Sequence, residues 1–294
     1  MSGVGEDSIF WIGLLLSTLR LTTPLIFASL GGLFTERSGV INVALEGFML
    51  LGAFSAAAAG LISGSSTVGW LTAFVISALA SGVFAFFTVR LRADQIITGM
   101  AFNILIAGLI PLMNKSLFQS TGSTPSLDLA LRPSVWPYAL AFAAVVGAHL
   151  FLTRAQGGLW LRMAGEEPAA LTNAGLSVGR VRWWALVLGG GLAGWGGATL
   201  SIVLGSAYSP MMSGGRGFIA LAALIFGRWR PLPTLGACLL FGLADALQIR
   251  LQGATVLGVA IPVQFVQCLP YLLTILALAG FMGQSRPPKN LGRT

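Results

Sequence analysis

GLWLRMAGEEPAALTNAGLSVGRVRWW, residues 158–184, gathers Arg162, Glu166, Glu167, Arg180 and Arg182 into one short stretch. Only 9% of the 294 residues are charged and 55% are apolar, and long apolar runs flank this stretch on both sides. A soluble domain carries about 25% charged residues, so this chain cannot face water over most of its surface. With a mean hydropathy of +0.85, the class that fits is an all-α polytopic membrane protein, whose helices satisfy their own backbone groups. The quoted stretch is then a polar connector between two spans.

A span needs about 20 mostly apolar residues. Before the connector, candidates fall at roughly 8–30, 40–62, 67–89, 95–113 and 134–153; after it, at roughly 182–205, 232–250 and 262–282. Residues 206–227, SAYSPMMSGGRGFIALAALIFG, are different, since the apolar part from Phe218 to Gly227 is too short to span. They read as a broken or re-entrant crossing, tolerated only where protein or a cavity surrounds it. The expectation is one transmembrane domain, 1–294, of about 8–10 transmembrane helices, with a polar connector at about 155–181 and an outer loop at about 114–133. Glu6 and Asp7 stand where a signal peptide would be positive, so the first span is expected to be retained. Cys238 and Cys268 both fall in apolar runs and read as packed thiols rather than a disulfide.

Basic residues choose the sides. With nine crossings and the C-terminus cytosolic, Arg37, Arg90, Arg92, Arg154, Arg162, Arg180, Arg182, Arg228, Arg230, Arg286, Lys289 and Arg293 lie inside. Only Lys115, Arg132, Arg216 and Arg250 lie outside, and Arg20 sits within the first span. This asymmetry accounts for the net charge of +8 without a nucleic-acid partner. It also places the connector in the cytosol.

Within the connector, Glu167-Pro168 marks a helix start, because proline suits the first helical position and pushes its predecessor out of the α region. Glu166 and Glu167 then face the positive end of the helix dipole. Ala169, Ala170 and Leu171 propagate the helix through Ala174, and Gly175 stops it. The residues alone allow a plain structured connector or a docking knob for a cytosolic partner. GEEPAALTNAGL resembles the coupling motif of ATP-binding-cassette (ABC) importer permeases. LGGLFTERSGVINVALEGFMLLGAF (30–54), GRGFIALAALIFGRWRPL (215–232) and FGLADALQIRLQ (241–252) resemble the branched-chain amino acid/ribose/nucleoside permease family, in its nucleoside and simple-sugar branch. The resemblance implies that Gly165, Glu166, Glu167, Pro168, Ala169, Ala170 and Gly175 couple to a cytosolic ABC ATPase. It further implies a second permease subunit, a heterodimer being favoured over a homodimer, and an extracytoplasmic substrate-binding lipoprotein. The location implied is the bacterial cytoplasmic (inner) membrane.

The chain holds no GxxxxGK[ST] stretch, no HExxH or CxxC pattern and a single histidine, His149. It is therefore expected to bind no cofactor and to be no enzyme, with ATP and magnesium on the partner ATPase. A proton-coupled secondary transporter using Glu46 and Asp245 is the rival class, because intramembrane acids are costly and usually functional. Against it stands a bracing role, in which Glu46 bonds Arg37 or backbone groups around the FTERSG turn. Asn42 and Glu46, four residues apart, are expected to share one helix face.

The candidate path residues are Asn42, Glu46, Asn103, Phe218, Asp245, Gln248 and Gln264. Gln95, Gly99 and Asn103 make one stripe; Asp245, Gln248 and Gln252 make another. Amides can bond a polar solute or simply neighbouring helices. Phe48, Phe102, Trp195 and Phe218 can stack on a solute or fill the core. Neutral amides and aromatics suit a nucleoside better than a free amino acid, with a sugar, riboflavin or a branched-chain amino acid as alternatives. Gly190-xxx-Gly194 is expected to permit close helix packing. The loop 114–133 and residues 206–216 are the expected surface for the binding lipoprotein.

Overall fold

The computed structural model describes residues 3–252 apart from 129, 131 and 134, two short strands at 255–256 and 259–260, and residues 286–293. In chain order the helices are α1 (Gly3–Arg37), α2 (Leu45–Ser63), α3 (Ser66–Ala85, prolonged by a π-helical turn to Arg90), α4 (Gln95–Phe118) and α5 (Trp136–Arg154). The short α6 (Gln156–Glu166) and α7 (Pro168–Asn173) follow. Then come α8 (Val178–Ala198, prolonged by a π-helical turn Thr199–Leu204), the short α9 (Arg216–Phe226) and α10 (Pro231–Leu251). Among the described residues, seven helices are long and apolar enough to cross a membrane: α1 to α5, α8 and α10. They match seven of the eight uninterrupted spans read from hydropathy, and the expected span at 262–282 lies outside the described residues. Among the described residues, a two-residue antiparallel bridge, Thr255–Val256 on Val259–Ala260, is the exception to helices and the loops that join them.

At the centre stands α8, packed against α1, α2 and α3 together. Lipid tails are as apolar as leucine, so helices in a membrane associate through close packing rather than through escape from water. Small residues make that approach possible. A side chain at Gly194 would meet the Ala73 carbonyl and the Ser77 hydroxyl at 2.5 Å, and one at Gly197 would fall on the Met49 carbonyl. Ser81 Oγ donates to the Leu186 carbonyl (2.6 Å) and Ser77 Oγ to that of Phe48 (3.1 Å), tying α3 to both neighbours. The Gly190-xxx-Gly194 pair therefore lies in a helix contact.

α1 runs on to Arg37, past the expected end near 30, and two further boundary differences bear on the candidate residues. The second span starts at Leu45, not near 40, because residues 38–44 form a turn and a short extended segment. Asn42 consequently lies off the helix and shares no face with Glu46. The fourth helix runs on to Phe118, so Asn114 and Lys115 belong to α4 and the outer loop begins at Gln119. Asn114 holds that helix end by donating its amide to Gly122 (2.8 Å).

Gly197→Leu places a side chain where Met49 backbone stands and is expected to remove most folded protein, overpacking costing typically about 1–3 kcal/mol and here more. Gly236→Ala, in α10 with nothing within 4 Å of the added carbon, is expected to be neutral or to stabilise by up to about 1 kcal/mol. Thermal unfolding of both variants in detergent checks the pair.

Candidate functional site

The broken crossing is built around one carboxylate. α9 has 11 residues, about 16 Å, roughly half the 30 Å of a hydrocarbon core. Its start is set by Gly214 and Gly215 at φ +54° and +82°, the left-handed region that glycine enters freely. Glu46, in the first turn of α2, accepts from Ser213 Oγ (2.6 Å), Gly215 N–H (2.9 Å) and Gly217 N–H (2.7 Å). Free N–H groups and the positive dipole end make a helix start an anion site, and here the anion is Glu46. Gly217 admits the carboxylate, since an added side chain there would overlap Glu46.

Depth follows from α4. Gln95, its first residue, accepts from Ile41 N–H (2.6 Å). Asn103, about 12 Å further along, accepts from Gly47 N–H (2.8 Å) and donates to the Val43 carbonyl (3.0 Å). Glu46 thus lies about 12 Å inside the bundle from its Arg37 end. The far end of α9 is also pinned: Trp229 Nε1–H donates to buried Glu36 (2.6 Å). Arg228 and Trp229, at φ +52° and +54°, turn the chain there into α10.

Several sequence expectations change accordingly. Glu46 braces the broken crossing rather than the FTERSG turn, and Arg37 pairs with Glu166 (3.5 Å) instead. Arg216, expected in an outer loop, opens α9 inside the bundle and faces Asp245 on α10 (3.8 Å). Only residues 206–209 remain beside the outer loop, where Thr124 N–H donates to Tyr208 and Leu127 N–H to Ser206. Arg132 adds donations to the carbonyls of Val203 and Gly205. Tyr208 is buried there, and that burial pushes its hydroxyl pKa up to about 12.

The remaining path candidates divide. The Gln95–Gly99–Asn103 stripe faces the start of α2, and Asn103 is used by backbone. Phe48 and Phe102 meet edge-to-face with Phe84, and Trp195 stacks on Trp70, all within the core. Phe218 is 48% exposed on α9, turned about 200° around that helix from Arg216; the paired side chains of Arg216 and Asp245 are 27% and 18% exposed. Gln248 is part-exposed on α10, and Gln264 lies outside the described residues. Asn42 is fully enclosed with neither amide atom bonded. Cys238 is a buried free thiol 3.3 Å from Ser29; Cys268 is outside the described residues.

The connector is a second built region. Glu167 is extended (φ −147°) before Pro168, α7 ends at Asn173, and Gly175 is left-handed at φ +78°. Leu176 N–H closes on the Leu171 carbonyl (3.1 Å), the six-to-one bond of a Schellman stop. Leu171 is buried, while Glu167, Ala169 and residues 172–175 are exposed; Pro168 and Ala170 are half-buried. Glu166 does not precede the α7 dipole but ends α6, a helix the sequence reading missed. Its amphipathic signal is short: Gly158, Leu161, Ala164 and Gly165 are buried.

The root of the connector is stapled to the α1–α2 turn. Gly165 sits against the Arg37 carbonyl, leaving no room for a side chain. Buried Arg182 donates to the carbonyls of Ser38 (3.1 Å) and Ala164 (3.4 Å). Residues 286–293 close the cluster: Asn290 N–H donates to Gly165 (2.9 Å), its amide to Glu166 (3.0 Å), and Gly292 N–H to Gly39 (3.0 Å).

Glu46→Gln is expected to cost about 2–3 kcal/mol, since hydrogen bonds to a charged group are worth about 1.5–3 kcal/mol and an amide N–H would face N–H donors. Ser213→Ala is expected to cost nearer 1 kcal/mol; thermal unfolding in detergent ranks the two. Asn42→Leu is expected to leave the melting temperature unchanged or raise it, because it removes an unbonded buried amide.

Residues 14–278 match the family model described as the permease component of the branched-chain amino acid transport system. The nucleoside ABC transporter permease protein of Lactococcus lactis subsp. cremoris is 35% identical, over 91% of this chain and 92% of its own. The guanosine ABC transporter permease protein of Bacillus subtilis is 34% identical over 94% of each chain. A Haloferax volcanii protein named, provisionally, as a glucose ABC transporter permease is 32% identical over 92% of each. No solved structure matches.

Proposed function

We infer the function from one premise: this chain belongs to the branched-chain amino acid transport permease family and is a membrane-spanning permease subunit of an ABC importer. Its cargo is a nucleoside. Two relatives that match along nearly their whole length are named for nucleoside and guanosine transport, and the Haloferax relative makes a sugar the second reading.

The observation that carries the mechanism is the half-length α9, started inside the bundle on Glu46 with Arg216 and Asp245 beside it. Charged groups at that depth are costly against lipid and face protein or a water-filled path. Half-helices whose ends point at a central site are a recurring transporter device. The face bearing Arg216 and Asp245 therefore borders the solute path, and a second permease subunit closes it. A different partner chain is favoured over a second copy. In this reading Glu46 and Asn103 hold the path's wall in place rather than touch solute. Three donors face Glu46, which suits a brace better than a proton carrier.

The exposed side of α7 docks a separate cytosolic ABC ATPase, which binds ATP and magnesium and hydrolyses the ATP. Because α7 is joined through Gly165, Arg182 and the Arg37–Glu166 pair to the α1–α2 turn, its displacement moves the segment that carries Glu46. Alternating access follows as the α9 half-helix shifts with it. The C-terminal residues share the α7 end of the bundle and are cytosolic on this reading. A lipoprotein delivers solute at the opposite end, on the paired segments 123–127 and 206–209.

Cells carrying the gene are expected to take up labelled guanosine, with uptake abolished by vanadate and preserved under an uncoupler at fixed ATP. Glucose-only competition would move the cargo to a sugar, and loss under the uncoupler alone would overturn ATP coupling. Glu167→Lys and Gly175→Val are expected to lower uptake at least tenfold with the subunit still folded in the membrane. Normal uptake in both would remove α7 from the coupling role.

A further inference from the structure

At the α7 end of the bundle, Arg90 and Arg92 leave α3, and Arg180 enters α8, around one open hollow of about 780 Å³. Trp183 and Trp184 form its wall. The three arginines are exposed, and none of their side chains makes an ion pair among the described residues. The nearest acid in sequence, Asp94, is committed elsewhere: its carboxylate accepts from Ile96 and Ile97 N–H and caps α4. The hollow is a concentration of positive charge with no ion-pair partner among the described residues.

The same two tryptophans also line a second hollow of about 660 Å³, which continues along α3 and α8. Its walls are apolar throughout, Leu79, Val83 and Val187 among them, and Gly82 leaves its floor low. An added carbon at Gly82 would touch only Val187 and Trp183, at 3.7 and 3.8 Å. From Phe74 to Phe86 the groove follows α3 for about 18 Å, close to the depth of one leaflet of a 30 Å hydrocarbon core. Indole side chains at the joint between the two hollows mark the level where headgroups meet acyl chains.

We propose that this composite groove is a binding site for an anionic phospholipid of the leaflet on the α7 side. The phosphate sits among Arg90, Arg92 and Arg180, and one acyl chain lies along Val83, Leu79 and Val187. A protein partner would match the charge, but a basic cup opening onto an apolar channel one leaflet deep fits the two-part chemistry of a lipid. Arginine suits the headgroup because its guanidinium offers paired donors to phosphate oxygens. The site rests on the membrane assignment alone and holds whatever the transported solute is.

Native mass spectrometry of the purified permease complex, titrated with cardiolipin, phosphatidylglycerol or phosphatidylcholine in detergent, tests the proposal. The wild type is expected to retain the two anionic lipids in preference to phosphatidylcholine. The triple variant R90Q/R92Q/R180Q is expected to lose on the order of 100-fold in affinity for cardiolipin, each arginine near an anionic surface contributing about fivefold. The triple Arg→Lys variant keeps the charge but loses the paired donors, and is expected to fall between wild type and the triple Gln variant. Gly82→Leu fills the groove without changing charge and is expected to weaken retention of cardiolipin and phosphatidylglycerol. Equal retention of anionic and neutral lipid by the wild type overturns the site. So does a triple Arg→Gln variant that holds cardiolipin as tightly as wild type, or one that sheds a protein subunit with its lipid unchanged. If the triple Arg→Gln variant does not fold, Gly82→Leu decides: undiminished anionic lipid overturns the acyl groove.

Discussion

The carboxylate of Glu46 supplies what the irregular backbone between α8 and α9 otherwise lacks. A chain that stops being helical inside a membrane exposes amide groups that water cannot reach, each unsatisfied group costing several kcal/mol. Ser213, Gly215 and Gly217 present their donors to Glu46, so the break becomes a fixed feature of the bundle. Everything that makes the site unusual follows: a helix beginning at mid-depth, an arginine on its first residue, and an aspartate opposite. The central glycine-packed α8 contributes the complementary condition, by letting α1, α2 and α3 draw close enough to carry Glu46 to that place.

The connector obeys a different physics. α7 is short and touches its surroundings mainly through Leu171, so its position is set by its root rather than by its own burial. Four independent chain segments meet there: the end of α1, the end of α6, the start of α8 and residues 286–293. Backbone carbonyls of the turn and of α6 are taken by Arg182, Gly165 packs against the Arg37 carbonyl, and Asn290 and Gly292 bond Gly165, Glu166 and Gly39. The arrangement makes a stiff joint from short-range contacts, which is what transmission of a displacement between two regions demands.

Sequence alone disclosed much of this fold, because apolar length is a local property and each span carries it. The broken crossing was legible for the same reason, since ten apolar residues cannot span. Pro168 and Gly175 also announced their roles locally, one through its missing N–H and the other through its left-handed backbone. The partners of Glu46 were not legible. They lie more than 160 residues away, and two of the three donors are backbone groups that no residue type reports. Arg216 was misplaced by the positive-charge count, which assumes that a cation outside a span lies in a loop. Asn42 and Glu46 were given one helix face because spacing presumes a helix that begins three residues later. α6 escaped notice because its apolar residues are interleaved with glycine, glutamine and arginine over barely three turns.

Glu36 and Glu46 hold opposite ends of the same half-helix, one through Trp229 and the other through the first amides of α9. The ten-residue interval between the two acids is thereby matched to the length of α9, like the two jaws of a calliper. Insertions in the outer loop from Gln119 onward leave that measure untouched. A single residue added or removed between Glu36 and Glu46 would put the jaws out of step with the object they grip. Variation in chain length among related permeases should accordingly collect in the outer loop, with the turn between α1 and α2 kept at constant length.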